Sequence, residues 1–219
     1  MYMDKKDVKQ ISAGDFSDWL NRFKRSLKNG SAMKVNCGYC NACCRASQFI
    51  HINPEEKATL AGIDKRLLFP APGLAKGNLV LGYTGTGCCP MLKNGNCSIY
   101  QDRPITCRTY DCRLFAAAGI LAGGKEKRLI NRQARLWRFS YINITDRRKH
   151  QAIVSAAAFL KKYKRILTPE TISSNSIHLA IMAVKCHTVF FKPDRLGTKP
   201  EIIQKIITAV KDFDKKPLK

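Results

Sequence analysis

Acidic side chains are scarce in this chain: 16 Asp and Glu stand against 39 Lys and Arg, a formal charge of +23 over 219 residues. The imbalance grows along the chain, from +8 over residues 1–124 to +15 over residues 125–219. Such a surface attracts phosphates, anionic membranes or acidic partners, chiefly as a long-range effect. Long hydrophobic runs are missing as well. The longest uncharged stretch near the middle, Leu114 to Gly124, is too short to span a bilayer, so no transmembrane segment is expected. The start, Met1-Tyr2-Met3-Asp4-Lys5-Lys6-Asp7, lacks the apolar run of a signal peptide. There are no internal repeats or coiled-coil heptads, and no P-loop, GxGxxG or HExxH motif. Nor is there a recognisable signature for S-adenosylmethionine.

Cysteine is what the chain has in quantity. Nine of its ten cysteines fall between residues 37 and 112: Cys37, Cys40, Cys43 and Cys44, then Cys88 and Cys89, then Cys97, Cys107 and Cys112. Only Cys186 lies outside. Cysteine-dense chains are usually small exported scaffolds stapled by disulfides. Here the length and a hydrophobic content of 45% allow a real core without staples. With no export signal the expected compartment is the cytoplasm, where thiols stay reduced and free for metal.

Thiolates are the soft ligands of zinc and of iron–sulfur clusters. Cys37, Cys40 and Cys43 form a C-x2-C-x2-C run, and a remote cysteine followed by proline, here Cys89-Pro90, can complete a cluster begun by such a run. That pattern favours iron–sulfur, with a [4Fe–4S] cluster first, whereas zinc usually asks for two separate CxxC pairs or for histidine. Adjacent side chains diverge in most backbone geometries, so Cys44 is expected to serve a second metal or a larger shared cluster. Cys97, Cys107 and Cys112 could complete that second set. His51 is a further ligand candidate by proximity, although a histidine between two isoleucines more often packs.

These residues resemble a known family. The run Cys37-x2-Cys40-x2-Cys43-Cys44 is followed by Cys89-Pro90-x-Leu92, Gly95-x-Cys97-x-Ile99-Tyr100, Arg103-Pro104-x2-Cys107-Arg108 and Cys112. Together they are similar to the CxxCxxCC domain, named for a presumed zinc- or iron-chelating role and found in YkgJ-like cysteine-cluster proteins. Flagellin lysine N-methylase contains a related domain. The resemblance covers roughly residues 37–115 and implies eight metal-binding cysteines: Cys37, Cys40, Cys43, Cys44, Cys89, Cys97, Cys107 and Cys112. It leaves out Cys88 and Cys186 and implies little about chemistry. Arg103 and Arg108 flank the Arg-Pro turn into Cys107. There they can offset thiolate charge and donate hydrogen bonds to sulfur.

The chain divides into an N-terminal helical segment (1–36), a cysteine-cluster module (37–115) and a basic helical C-terminal region (116–219). Residues 1–12 read as frayed, and Asp15 to Leu27 as an amphipathic helix with Phe16, Trp19, Leu20, Phe23 and Leu27 on one face. Gln48–Ile52 and Asn78–Tyr83 read as strands. Asn53-Pro54-Glu55-Glu56 has the spacing of a capping box, and Phe69–Gly73 reads as a rigid loop. Further helices are expected at Lys125–Leu136, Asp146–Ile166, from Thr168-Pro169-Glu170 to Val184, and after Thr198-Lys199-Pro200-Glu201. Trp137, Phe139 and Tyr141 alternate. They fit the buried face of a strand better than a stacking surface for nucleic acid. The densest basic runs are Arg147-Arg148-Lys149 and Lys161-Lys162-Lys164-Arg165; Lys161, Lys164 and Arg165 would share a helix face.

The expected fold is therefore α+β and predominantly helical, an irregular cysteine-cluster module with short strands wrapped by flanking helices. Two functions fit. One is a metal-binding protein whose cluster is structural or redox-related, with a polyanion, nucleic acid or acidic protein as partner. The other is an iron–sulfur enzyme, such as a protein lysine N-methyltransferase using S-adenosylmethionine.

Overall fold

The aromatic stripe near the start of the chain lies on helix α1 (Phe16–Asn29) and faces inward, with Phe16, Trp19, Leu20 and Phe23 all buried. Asp15 caps the helix by accepting from the Asp18 amide at 3.0 Å, and Gly30 ends it in the left-handed conformation, φ 69°. The computed structural model describes residues 10–35, 39–163 and 175–215. Among these residues eight α-helices and seven short strands make a mainly helical α+β fold.

The segment expected to fray is in part a strand. β1 (Ile11–Asp15) pairs in parallel with β7 (Trp137–Ser140), Ile11 opposite Trp137 and Asp15 opposite Ser140. Trp137 is buried and Phe139 half-buried, edge-on to Phe16 with ring centroids 5.1 Å apart, so the alternating aromatics build core.

α1 packs on α6 (Ile144–Lys162), which with α7 (Ser176–Cys186) forms the centre of the core; α4 (Arg113–Ala118) lies against both, and α8 (Lys199–Lys215) lies against α7. The α6–α7 contact is made by small side chains, Ala152, Ala156, Ala157, Ala180 and Ala183, which let the two backbones approach closely. Ile202 and Ile206 close the core from α8, whose start is held by the expected capping box: the Thr198 amide donates to Glu201 at 2.7 Å. The Thr168-Pro169-Glu170 helix start, the end of the 146–166 helix, and Lys164 and Arg165 lie outside the described residues. Among those residues no helix is long and apolar enough to cross a membrane.

Cys186 and His187 pack in this core rather than face the other cysteines. Burial, with a contribution from nearby Lys24, pushes the His187 imidazole down to about 4, and its Nδ1 meets the Val184 carbonyl at 2.8 Å. Above the unfolded value of 6.5 the ring is neutral in both states and adds no slope. Below it the unfolded chain takes up the proton first, so stability is lost as pH falls from about 6.5 to 4, by up to about 3 kcal/mol. His187→Gln should be less stable at neutral pH but lose less melting temperature on acidification. Equal losses in the two proteins would place the acid sensitivity elsewhere.

A second, smaller part carries the strands. β2 (Ile50–Ile52), β4 (Leu79–Leu81) and β3 (Leu68–Pro70) form an antiparallel sheet in the order β2-β4-β3. The stretch expected as a loop from Phe69 thus begins as an edge strand. Proline is tolerated there because an edge strand need not donate on its outer side. Asn53 and Glu56 make the capping contact, the Asn53 amide donating to Glu56 at 2.9 Å, but the helix itself, α2 (Lys57–Ala61), starts four residues after Asn53.

Candidate metal centre

Four separate segments deliver the cysteines to one place. Cys43 and Cys44 sit on a 3-10 turn, Cys43–Arg45, which lies against helix α5 (Arg128–Leu136). Cys89 follows on a strand-like contact, its amide donating to the Cys44 carbonyl at 2.7 Å. Gly87 makes this approach possible. Its φ of 76° disfavours a side chain, a Cβ there would collide with the Ser47 hydroxyl, and its carbonyl accepts from the Ser47 amide at 3.0 Å. Cys97 ends a hairpin of β5 (Leu92–Lys93) and β6 (Asn96–Cys97). The hairpin is closed by Asn94-Gly95, both at positive φ, the combination a tight primed turn requires. Cys107 lies on α3 (Ile105–Thr109), and Cys112 precedes α4.

Glu56 fixes the last of these segments, the one that carries Cys107. Its buried carboxylate accepts from the Ile105 amide at 2.6 Å, at the start of α3, while also holding Asn53. Thr106 donates to the His51 carbonyl at 2.8 Å and ties the same turn to β2. The His51 ring turns to Asn78, 2.8 Å away, and is not among the residues lining the cysteine cavity.

Cys40, Cys43, Cys44, Cys89, Cys97, Cys107 and Cys112 all line one cavity of about 320 Å3. Cys37 lies outside the described residues. Cys88 stays out of the lining, its sulfur 4.0 Å from the Thr86 carbonyl. The cysteines surround the cavity rather than knot together: among the described residues no three His, Cys, Asp or Glu side chains converge tightly enough to hold a single ion. The adjacent pair does not diverge as expected. On the 3-10 turn the Cys43 and Cys44 thiols share a hydrogen bond, which holds Cys43 down to about 7 and pushes Cys44 up. Burial raises Cys40 and Cys89 and pushes Cys107 up to about 12. Cys107 is raised further by Cys43, Cys89 and Cys97, because like charges crowd there. These thiols are costly to ionise together unless something positive shares the cavity.

Two cationic or donor groups reach the sulfurs. Arg103 lines the cavity, stacked 3.9 Å from the centroid of Tyr100, and its charge favours the thiolates of Cys43 and Cys107. The Trp137 indole donates to the Cys112 sulfur at 3.2 Å, a contact that the alternating aromatic pattern did not reveal. Arg108 points to Glu56 instead, at 3.7 Å, and Arg45 to Asn41 at 3.1 Å. The cavity wall also holds buried polar atoms in want of a partner. The Tyr110 hydroxyl and the Gln48 amide nitrogen lie near each other, yet neither reaches hydrogen-bond geometry with any described residue. A wall of seven thiols, one guanidinium and two unsatisfied donors fits a group with anionic sulfur or oxygen atoms, such as a thiolate-ligated metal cluster.

No curated protein and no solved structure matches the chain. The family model CxxCxxCC, described as a "Putative zinc- or iron-chelating domain", matches residues 36–134. The match reaches into α5, which supplies Ile130 and Gln133 to the cavity wall. Over residues 36–134 the chain is thus similar to the CxxCxxCC family, and the seven cysteines that line the cavity all lie within the matched stretch.

Proposed function

We propose that the cavity is an iron–sulfur site of the [4Fe–4S] type, and that Cys37, Cys40, Cys43, Cys44, Cys89, Cys97, Cys107 and Cys112 are its cysteine ligands, four to each four-iron cluster. The observation that carries this reading is the arrangement of seven described thiols around one shared space. One zinc ion takes four ligands at about 2.3 Å from sulfur and draws them into a tight knot. A polynuclear core takes its ligands from several sides of a shared space, which suits cysteines that arrive on separate segments. Eight thiolates would saturate two four-iron clusters, which suits a structural or electron-transfer role. When bound, such a cluster supplies one-electron exchange and a tie between segments that otherwise share few contacts. Arg103 balances part of the thiolate charge, and the Trp137 N–H steadies Cys112. A reducing compartment such as the cytoplasm would keep the ligands available.

The test is the visible spectrum of protein purified without oxygen. A brown chain whose absorption is bleached by dithionite is expected, with iron and acid-labile sulfide in equal amounts. A colourless chain carrying stoichiometric zinc would move the reading to a structural zinc site.

A further inference from the structure

The other face of α5 carries a feature that the metal site does not use. Ile130 and Gln133 of this helix line the cysteine cavity, whereas Arg128, Arg132 and Arg135 are exposed and line a separate groove of about 810 Å3. Lys125, Gly124, Asn131 and Leu136 complete its wall. No acidic residue lines it; Glu126 lies beside Gly124 but not in the groove. Among the described residues no salt bridge is made by Lys125, Arg128, Arg132 or Arg135. The groove is held in shape by Asn131, whose side chain accepts from the Ala122 amide at 2.7 Å and donates to the Gly123 carbonyl at 3.1 Å. That clamp stands the glycine loop up as a wall beside the arginine row. The loop is held from the other side by Lys127, which donates to the Ala46 carbonyl at 2.7 Å.

We infer that this groove binds the phosphate backbone of a nucleic acid. The three arginines recur at i, i+4 and i+7, about 6 and then 4.5 Å apart along the helix axis. They form a line of guanidinium groups, each able to grip a phosphate through two parallel hydrogen bonds. A polynucleotide presents one charge per residue along a continuous strand, and so matches a line of cations. A bilayer is flat and cannot enter a groove walled by a loop. An acidic peptide carries its carboxylates on flexible stems with irregular spacing. The chain's large positive charge would bring a polyanion to this surface at long range. The inference stands apart from the identity of the metal, since no groove cation lines the cysteine cavity.

Binding of fluorescent single-stranded and duplex oligonucleotides to the metal-loaded chain, followed by anisotropy across a salt series, tests this. The variant R128Q/R132Q/R135Q should weaken binding about tenfold or more and flatten the salt dependence by about 2 in log–log slope for a single strand, since each phosphate contact accounts for about 0.7. A control, K57Q/K65Q/K76Q, removes the same charge from exposed positions elsewhere and should leave that slope within about 0.5 of the parent's. All six positions are exposed, so both variants should fold, which circular dichroism checks. The inference fails if the parent does not bind at low salt, or if the two triple variants lose affinity equally. It also fails if anionic vesicles depend on the three arginines while oligonucleotides do not. Preference for the single strand or the duplex, provided the arginine row is needed, identifies which form of backbone the groove accepts.

Discussion

Cys40→Ser and Cys107→Ser should each strip the chain of most of its metal and lower its melting temperature, whereas Cys186→Ala should keep the full metal content. The contrast follows from position. Cys40 and Cys107 line the shared cavity from different segments, so losing either opens the ring that a cluster would bridge. Metal-binding free energy at such a site is released as folding free energy, and the loss is read both in metal per chain and in stability. Cys186 is fully buried among the helices of the main core, far from that function. Its replacement leaves a small void and costs some stability, but no metal. Stability alone therefore cannot separate the two classes, and metal content can. Equal metal in all three variants would remove the cavity as the binding site.

The second large effect is expected at Asp111, the residue before Cys112. Its carboxylate is fully buried and accepts from Arg113 Nε at 3.0 Å, from the Arg113 terminal nitrogen at 2.7 Å and from the Trp19 indole at 2.9 Å. Arg113 in turn donates to the carbonyls of Ala13, at 3.1 Å, and Lys34, at 3.3 Å. One ion pair thereby joins β1, α1, the segment that leads into the first cysteine run, and the turn that presents Cys112. Asp111→Ala leaves a buried guanidinium and an indole N–H without their acceptor, a loss of about 3–5 kcal/mol. For a chain of this size that lowers the melting temperature by roughly 10 °C. Asp111→Asn keeps the shape and one acceptor oxygen and should cost less. A melting temperature within 2 °C or so of the parent's for Asp111→Ala would show that the ion pair is not holding these elements together.

Much of the helical frame was legible because it is local. The stripes of α1, α6 and α8 recur at helical spacing, and the caps at Asp15 and Thr198 stand where local chemistry puts them. What escaped depends on partners distant in sequence. Ile11 and Ser12 look like a frayed end until Trp137 and Arg138 are placed beside them, more than a hundred residues on. Phe69-Pro70 reads as a loop unless β4 is known to run alongside. The hairpin at Asn94-Gly95 is a different case: its turn signal was in plain view, but the flanking strands are only two residues each. The site divides in the same way. The resemblance implied which eight cysteines to expect at the metal, while the meeting of the Cys43 and Cys44 thiols depends on a 3-10 turn that a general rule about neighbouring side chains misses. The Trp137 donor to Cys112 arises from folding β7 onto the cysteine segment. The row Arg128, Arg132, Arg135 stands at helical spacing in the sequence, but only the loop at Gly124 beside it makes the row one wall of a groove.

Native mass spectrometry of the intact chain, purified and sprayed without oxygen, weighs the claim that the cysteine cavity is a cluster site. The expected spectrum shows the folded chain heavier than its sequence mass by whole iron–sulfide cores, with the increment lost on acid denaturation. A folded chain at its sequence mass, or one heavier only by disulfide-linked adducts, would contradict it.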